Sequence, residues 1–111
     1  MSNKAQLPGS NDWYSINENA KRYTLRDNGF TETKNGTFIY DRSLGTTVMD
    51  KTAPRLKVTV SKDFSELKLS SVNAKGLKKI DLYKAAQFEK ERELAEHILE
   101  TFVEENVLEK V

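Results

Sequence analysis

Near residue 85 the hydrophobic period of this 111-residue chain changes, and that change limits the folds open to it. Before it, apolar residues alternate. Leu56, Val58 and Val60 are spaced by Lys57 and Thr59, Leu67 and Leu69 by Lys68, and Ile80 and Leu82 by Asp81. Successive strand residues face opposite sides, so each run predicts a strand with one dry face. From about Ala85 the period is helical. Phe88, Ala95, Ile98, Leu99 and Phe102 share one face, while Glu89, Glu93, Glu96, Glu100 and Glu104 gather on another. Short-linked strands followed by one amphipathic helix form an α+β pattern.

Residues 23–44, YTLRDNGFTETKNGTFIYDRSL, sharpen that pattern. The segment NENAKRYTLRDNG predicts a brief helical turn closed by a left-handed glycine at Asn28-Gly29. Asn35-Gly36 lies between FTETK and TFIYD, where a tight two-residue hairpin turn needs positive φ at both centres. Phe38 and Tyr40 then share one strand face, with Ile39 and Asp41 on the other. Residues 1–12 predict a polar lead-in punctuated by Pro8-Gly9, and Trp13 to Ile16 a short strand. Residues 45–55 predict a connecting loop. The turn SKDFS and the turn NAKG, with Gly76 at positive φ, join three strands whose short links favour an antiparallel meander. Asn106 predicts a left-handed helix stop, with Val107, Leu108 and Val111 folding back as a tail.

The expected architecture is a single α+β domain over residues 1–111. Two small antiparallel β-sheets, an N-terminal hairpin and a three-strand meander, pack against one long C-terminal helix. A chain of this length buries roughly two-thirds of its unfolded surface, enough for a core without staples.

Composition excludes several classes of function. There is no cysteine, so neither disulfides nor a thiolate zinc site can form. The opening MSNKAQLPGSNDW carries no apolar run of a signal peptide, and no segment approaches 18 consecutive apolar residues. A cytoplasmic location is the expectation. Charge is uneven: residues 51–84 carry nine basic and three acidic groups, giving +6, and residues 85–111 carry three basic and eight acidic, giving −5. A total of +1 is not the strongly basic balance of a nucleic-acid footprint. A basic sheet lying against an acidic helix is the expected explanation.

The stretch YTLRDNGFTETKNGTF, with LKVTVSKD, GLKKIDLYK and NVLEK, resembles a small uncharacterised family from lactic-acid and related Gram-positive bacteria. That family carries only the label "putative amino acid metabolism". The resemblance covers about residues 20–111, and RDNGF is its most distinctive piece. It implies an α+β fold of two sheets on one long helix, and a role near amino-acid metabolism. The family's fold is remotely similar to bacterial S-adenosylmethionine decarboxylases, which cut themselves at a Glu-Ser bond to make a pyruvoyl cofactor. This chain has no Glu-Ser dipeptide and no cysteine proton donor, so shared shape carries no mechanism across.

Three constellations remain. Tyr23, Arg26, Asp27, Tyr40 and Arg42 flank the turn and the hairpin. An arginine fork grips a carboxylate with two parallel hydrogen bonds, which suits an amino-acid-like ligand. The ordinary alternative is that Arg26 and Asp27 only cap the turn. Lys75, Lys78 and Lys79, near Tyr83 and Lys84, form the densest basic cluster. They can hold phosphates beside a stacked base, or simply blunt a sheet edge. His97 has Glu93, Glu100 and Glu104 within helical reach, yet one helix rarely supplies a converging metal site, and no metal or cofactor is expected. No nucleophile elbow or phosphate loop is present.

The expected function is a non-catalytic cytoplasmic protein accessory to amino-acid metabolism, binding a small amino-acid-like metabolite or a metabolic enzyme. The metabolic part rests on the resemblance alone. Two alternatives stand beside it: an enzyme of amino-acid metabolism with an unrecognised site, and a nucleic-acid binder through Lys75, Lys78 and Lys79.

Overall fold

The computed structural model describes residues 4–7, 12–45, 53–75, 78–83 and 88–111. Their elements are β1 (Lys4–Ala5), β2 (Tyr14–Ile16), α1 (Arg22–Asp27), β3 (Thr31–Glu32), β4 (Phe38–Ser43), β5 (Arg55–Val60), β6 (Leu67–Val72), α2 (Glu89–Glu104) and β7 (Leu108–Lys110). Two antiparallel sheets form, one of order β1-β2-β7 and one of order β3-β4-β5-β6. The expected α+β class, with two antiparallel sheets and a C-terminal helix, is what the chain adopts.

The strands divide differently from the sequence reading. The hairpin and the meander are one continuous sheet, because β4 pairs along its whole length with β5, from Phe38↔Val60 to Ser43↔Arg55. The second sheet is built from the two ends of the chain. Tyr14, Ser15 and Ile16 pair with Lys110, Glu109 and Leu108, and Lys4 and Ala5 pair with Ser15 and Tyr14. Residues 4–7 of the lead-in are therefore part of the fold, and Leu7 is fully buried. The third meander strand is replaced by a single bridge, Val72↔Lys79, although Leu82 is buried. Ser71 holds that segment through its backbone and its hydroxyl: Ile80 N–H donates to the Ser71 carbonyl at 2.8 Å, and the Ser71 hydroxyl donates to the Ile80 carbonyl.

Both helices stop as their sequences indicate. In α1, Gly29 sits at φ +91°, its N–H donates to the Arg26 carbonyl at 3.1 Å, and Phe30 N–H reaches the Leu25 carbonyl at 3.0 Å. In α2, Asn106 sits at φ +64° and Val107 N–H reaches the Phe102 carbonyl at 2.8 Å. These are Schellman closures. The hairpin turn is longer than expected. Gly36 is left-handed at φ +87° but Asn35 is not. Thr33 N–H donates to the Thr37 carbonyl at 2.8 Å, and Gly36 N–H donates to the Thr33 carbonyl at 2.9 Å. A three-residue loop ending in a left-handed glycine results.

One apolar cluster joins all the layers. Phe38, Leu56, Val58, Val60, Leu67 and Leu69 face it from the large sheet, and Ala95, Ile98, Leu99 and Phe102 from α2. The basic sheet and the acidic helix meet through this apolar cluster rather than through their charged side chains. Strand alternation sends Lys57 and Lys68 to the sheet surface opposite the buried positions. On α2, Glu96 accepts a 2.5 Å hydrogen bond from the Tyr83 hydroxyl. Pro8-Gly9, residues 46–52, Gly76, Lys84 and Ala85 lie outside the described residues.

Candidate functional site

The five residues expected to form one ligand site are spread over four places. Arg26 donates from Nη2 to Glu32 Oε1, closing an ion pair between α1 and β3. That hydrogen bond, reinforced by nearby Arg22 and Lys62, holds the Glu32 carboxyl below its ordinary range. Tyr40 is half-buried in an aromatic group with Phe30 and Phe102. Arg42 is exposed further along β4, opposite Leu56. Tyr23 and Asp27 do meet, in an open polar groove of about 300 Å³ that includes Asn28, Glu105 and Asn106. Its charged side chains are acidic, so it offers no fork for a carboxylate.

A groove of about 450 Å³ lies on the other side of α1. Its lining combines Glu18, Lys21 and Arg22 with the apolar Ile16 and Phe64. The chain enters it through a tight turn after β2. Asn19 N–H donates to Asn17 Oδ1 at 2.8 Å, Ala20 N–H to the Asn17 carbonyl at 2.9 Å, and Asn17 N–H to the Val107 carbonyl at 3.0 Å. Thr24 Oγ1 accepts from Lys21 N–H at 3.2 Å as α1 begins. Glu18 and Arg22 therefore project from a backbone tied to the end of α2.

The opposite wall is Phe64, which adopts φ +62° without being glycine. A bulky residue in that region is strained and persists only where its surroundings determine it. Here they do. Ser61 Oγ accepts from the N–H groups of Ser65 at 3.1 Å and Glu66 at 2.9 Å, and donates to Asp63 Oδ1 at 2.9 Å. Asp63 Oδ1 also accepts from the Ser65 hydroxyl at 2.6 Å, and these hydroxyl contacts hold its carboxyl below the usual range. Phe64 is braced by Phe38, edge-on with centroids 5.9 Å apart. The arrangement fixes one apolar ring beside cationic and anionic side chains, the groups that recognise a zwitterion.

A third groove, about 630 Å³, crosses the outer face of the large sheet. Lys57, Lys68 and Lys79 line it together with Trp13. Of the lysines expected as a nucleic-acid cluster, Lys79 is thus in a groove, whereas Lys75 and Lys78 are exposed on the preceding turn. Among the described residues no three histidine, cysteine or acidic side chains converge as metal ligands, and His97 is exposed.

Sequence reasoning passed over Glu18, Arg22 and Phe64. The signal for Arg22 was its four-residue spacing to Arg26, which places both on one side of α1. Phe64 carried no such signal, since its position depends on how the SKDFS turn closes.

A family profile described as "Putative amino acid metabolism", DUF1831, matches residues 1–109. The chain belongs to the DUF1831 family. Among solved structures this DUF1831 protein is similar to the crystal structure of a DUF1831 family protein from Lactobacillus plantarum. The two are 28% identical with a TM-score of 0.89, over 99% of this chain and 96% of the other. No curated protein matches this DUF1831 chain. Among its described residues no helix is long and apolar enough to cross a membrane.

Proposed function

We propose that this protein binds a free α-amino acid or a close derivative in the groove between α1 and the 61–66 turn, acting in the cytoplasm as a binding protein rather than a catalyst. The observation that carries the reading is the coexistence of Arg22 and Lys21, Glu18, and the ring of Phe64 around one cavity of about 450 Å³. An α-amino acid presents a carboxylate, an ammonium group and a side chain. Arg22 is the fork for the carboxylate, Glu18 the partner of the ammonium group, and Ile16 with Phe64 the apolar contact. The volume lies in the range of small-ligand sites. The strained Phe64 supports the same reading, because strain held by a dedicated hydrogen-bond network is characteristic of ligand clamps. Membership of a family tied to amino-acid metabolism agrees with the ligand class.

The arginine-fork logic that first pointed to Arg26 and Arg42 is retained, one helical turn earlier. Arg26 is engaged by Glu32, whereas Arg22 lines the cavity.

A thermal-unfolding panel of the L-α-amino acids and their sulfur-containing relatives tests this reading. A ligand at 100 times its dissociation constant stabilises the folded chain by about 2.7 kcal/mol, which raises the midpoint of a domain this size by on the order of 10 °C. A flat panel counts against the proposal.

A further inference from the structure

The large sheet presents to solvent a basic face that no part of the amino-acid reading uses. Lys57 pairs across β5 and β6 with Ser70, and Thr59 with Lys68, so the two lysines are diagonal neighbours on one surface. Lys79, bridged to Val72, adds a third ammonium group to the same groove. Like charges gathered on one sheet face cost stability, a cost that an anionic ligand would offset. Two described carboxylates stand beside them: Glu66, whose Oε1 lies 3.7 Å from Lys68 Nζ, and Asp41, the cross-strand neighbour of Lys57, which is bonded to Arg55. Lys68 keeps 71% of its side chain exposed even so.

The far wall of the groove is Trp13, 43% exposed, with Ala5 and Gln6 beside it. A large indole left open is unusual for a residue that buries 150–250 Å² when packed. It stands where β1 of the small sheet approaches β6 of the large one. An aromatic face beside three ammonium groups is the pair of features that recognises a planar base carrying phosphates. The cavity of about 630 Å³ is the size of a small-molecule site rather than of an extended track for a polymer.

We propose that this groove binds a nucleoside phosphate, with Lys57, Lys68 and Lys79 holding the phosphates and Trp13 stacking on the base. The site is separate from the amino-acid groove and does not depend on it.

Trp13 is the single tryptophan of the chain, so intrinsic tryptophan fluorescence reports on this groove directly. The intact protein is titrated with ADP, adenosine and inorganic pyrophosphate, with calorimetry alongside to record binding that leaves the indole undisturbed. ADP should quench the fluorescence saturably. Pyrophosphate should bind more weakly and without quenching, and adenosine more weakly still. Lys57→Gln and Lys79→Gln should each weaken ADP by about tenfold through loss of a charge-assisted contact. Trp13→Leu, followed by calorimetry, should reduce the preference of ADP over pyrophosphate. All three positions are at the surface, and circular dichroism of each variant confirms that the fold is kept. The proposal is overturned if ADP gives no saturable binding, if the lysine variants bind it as the native chain does, or if pyrophosphate binds as tightly as ADP. It is equally overturned if only a single-stranded oligonucleotide binds, with the steep salt dependence of a backbone contact.

Discussion

The ring of Tyr40 on β4 meets the ring of Phe102 on α2 edge-on, with centroids 5.0 Å apart and planes at 88°. Phe30 completes the group, 5.5 Å from Tyr40 and 5.4 Å from Phe102. This contact couples the large sheet, the stop of α1 and the last turn of α2. Tyr40, one of the candidate ligand residues, is thereby a packing residue of this group. Phe102 is 3% exposed, so truncating it leaves a cavity that both partners line. Phe102→Ala should cost about 3–5 kcal/mol and Phe102→Leu clearly less, as read by urea denaturation at constant m-value. That loss is a large share of the roughly 5–15 kcal/mol typical of a whole domain.

Gly29 is constrained twice. Its φ of +91° is disfavoured for any side chain, and an added Cβ would lie 3.2 Å from Tyr40 Cε2. Gly29→Ala should destabilise by about 1–2 kcal/mol from the left-handed backbone alone, with more from displacement of the tyrosine ring. At Gly36 the nearest atoms to an added Cβ belong to the flexible side chain of Lys62, so Gly36→Ala should cost less than Gly29→Ala. Denaturation of the two variants in parallel decides the order.

Much of this frame is legible in the residues themselves. The spacing of Ala95, Ile98, Leu99 and Phe102 marks the buried helix face, and Leu56, Val58 and Val60 mark the buried strand face, because burial enforces those periods. Asn28-Gly29 and Asn106 announce both helix stops through backbone preference. The small sheet is not legible. Tyr14–Ile16 and Leu108–Lys110 are three residues each and lie at opposite ends of the chain, so no local pattern sets their register. The groove beside α1 shares that obscurity, for Phe64 and Arg22 line it together only through the assembly of the sheet and α1.

Ser71 is fully buried and clamps the segment after β6 through its hydroxyl and its backbone. Ser71→Ala removes the hydroxyl donor and leaves the Ile80 carbonyl without it. A loss of about 1–2 kcal/mol should follow, with faster amide exchange at Ile80 than at the β4–β5 ladder.

Tyr14 supplies an alkaline signature. Burial first, then Asp12, Glu100 and Glu96, raises its phenol pKa above the ordinary 10.0. A raised folded-state pKa means that this contribution to stability is complete below the unfolded value. It is lost as pH climbs through the folded one. Stability should therefore fall above about pH 10, and Tyr14→Phe should flatten that decline while leaving the neutral-pH slope unchanged. Thermal midpoints recorded from pH 7 to 11 provide the check.

The most direct test of the amino-acid groove is isothermal titration of the native chain, Arg22→Ala and Glu18→Gln with the L-α-amino acid that most raises the unfolding midpoint. Arg22 and Glu18 are exposed side chains, so both variants should keep the native fold. The account predicts a saturable one-to-one heat for the native chain and a loss of about tenfold or more in affinity for each variant, since each removes one charge-assisted contact to the zwitterion. Native-like affinity in both variants, or no saturable heat from any amino acid, would contradict it.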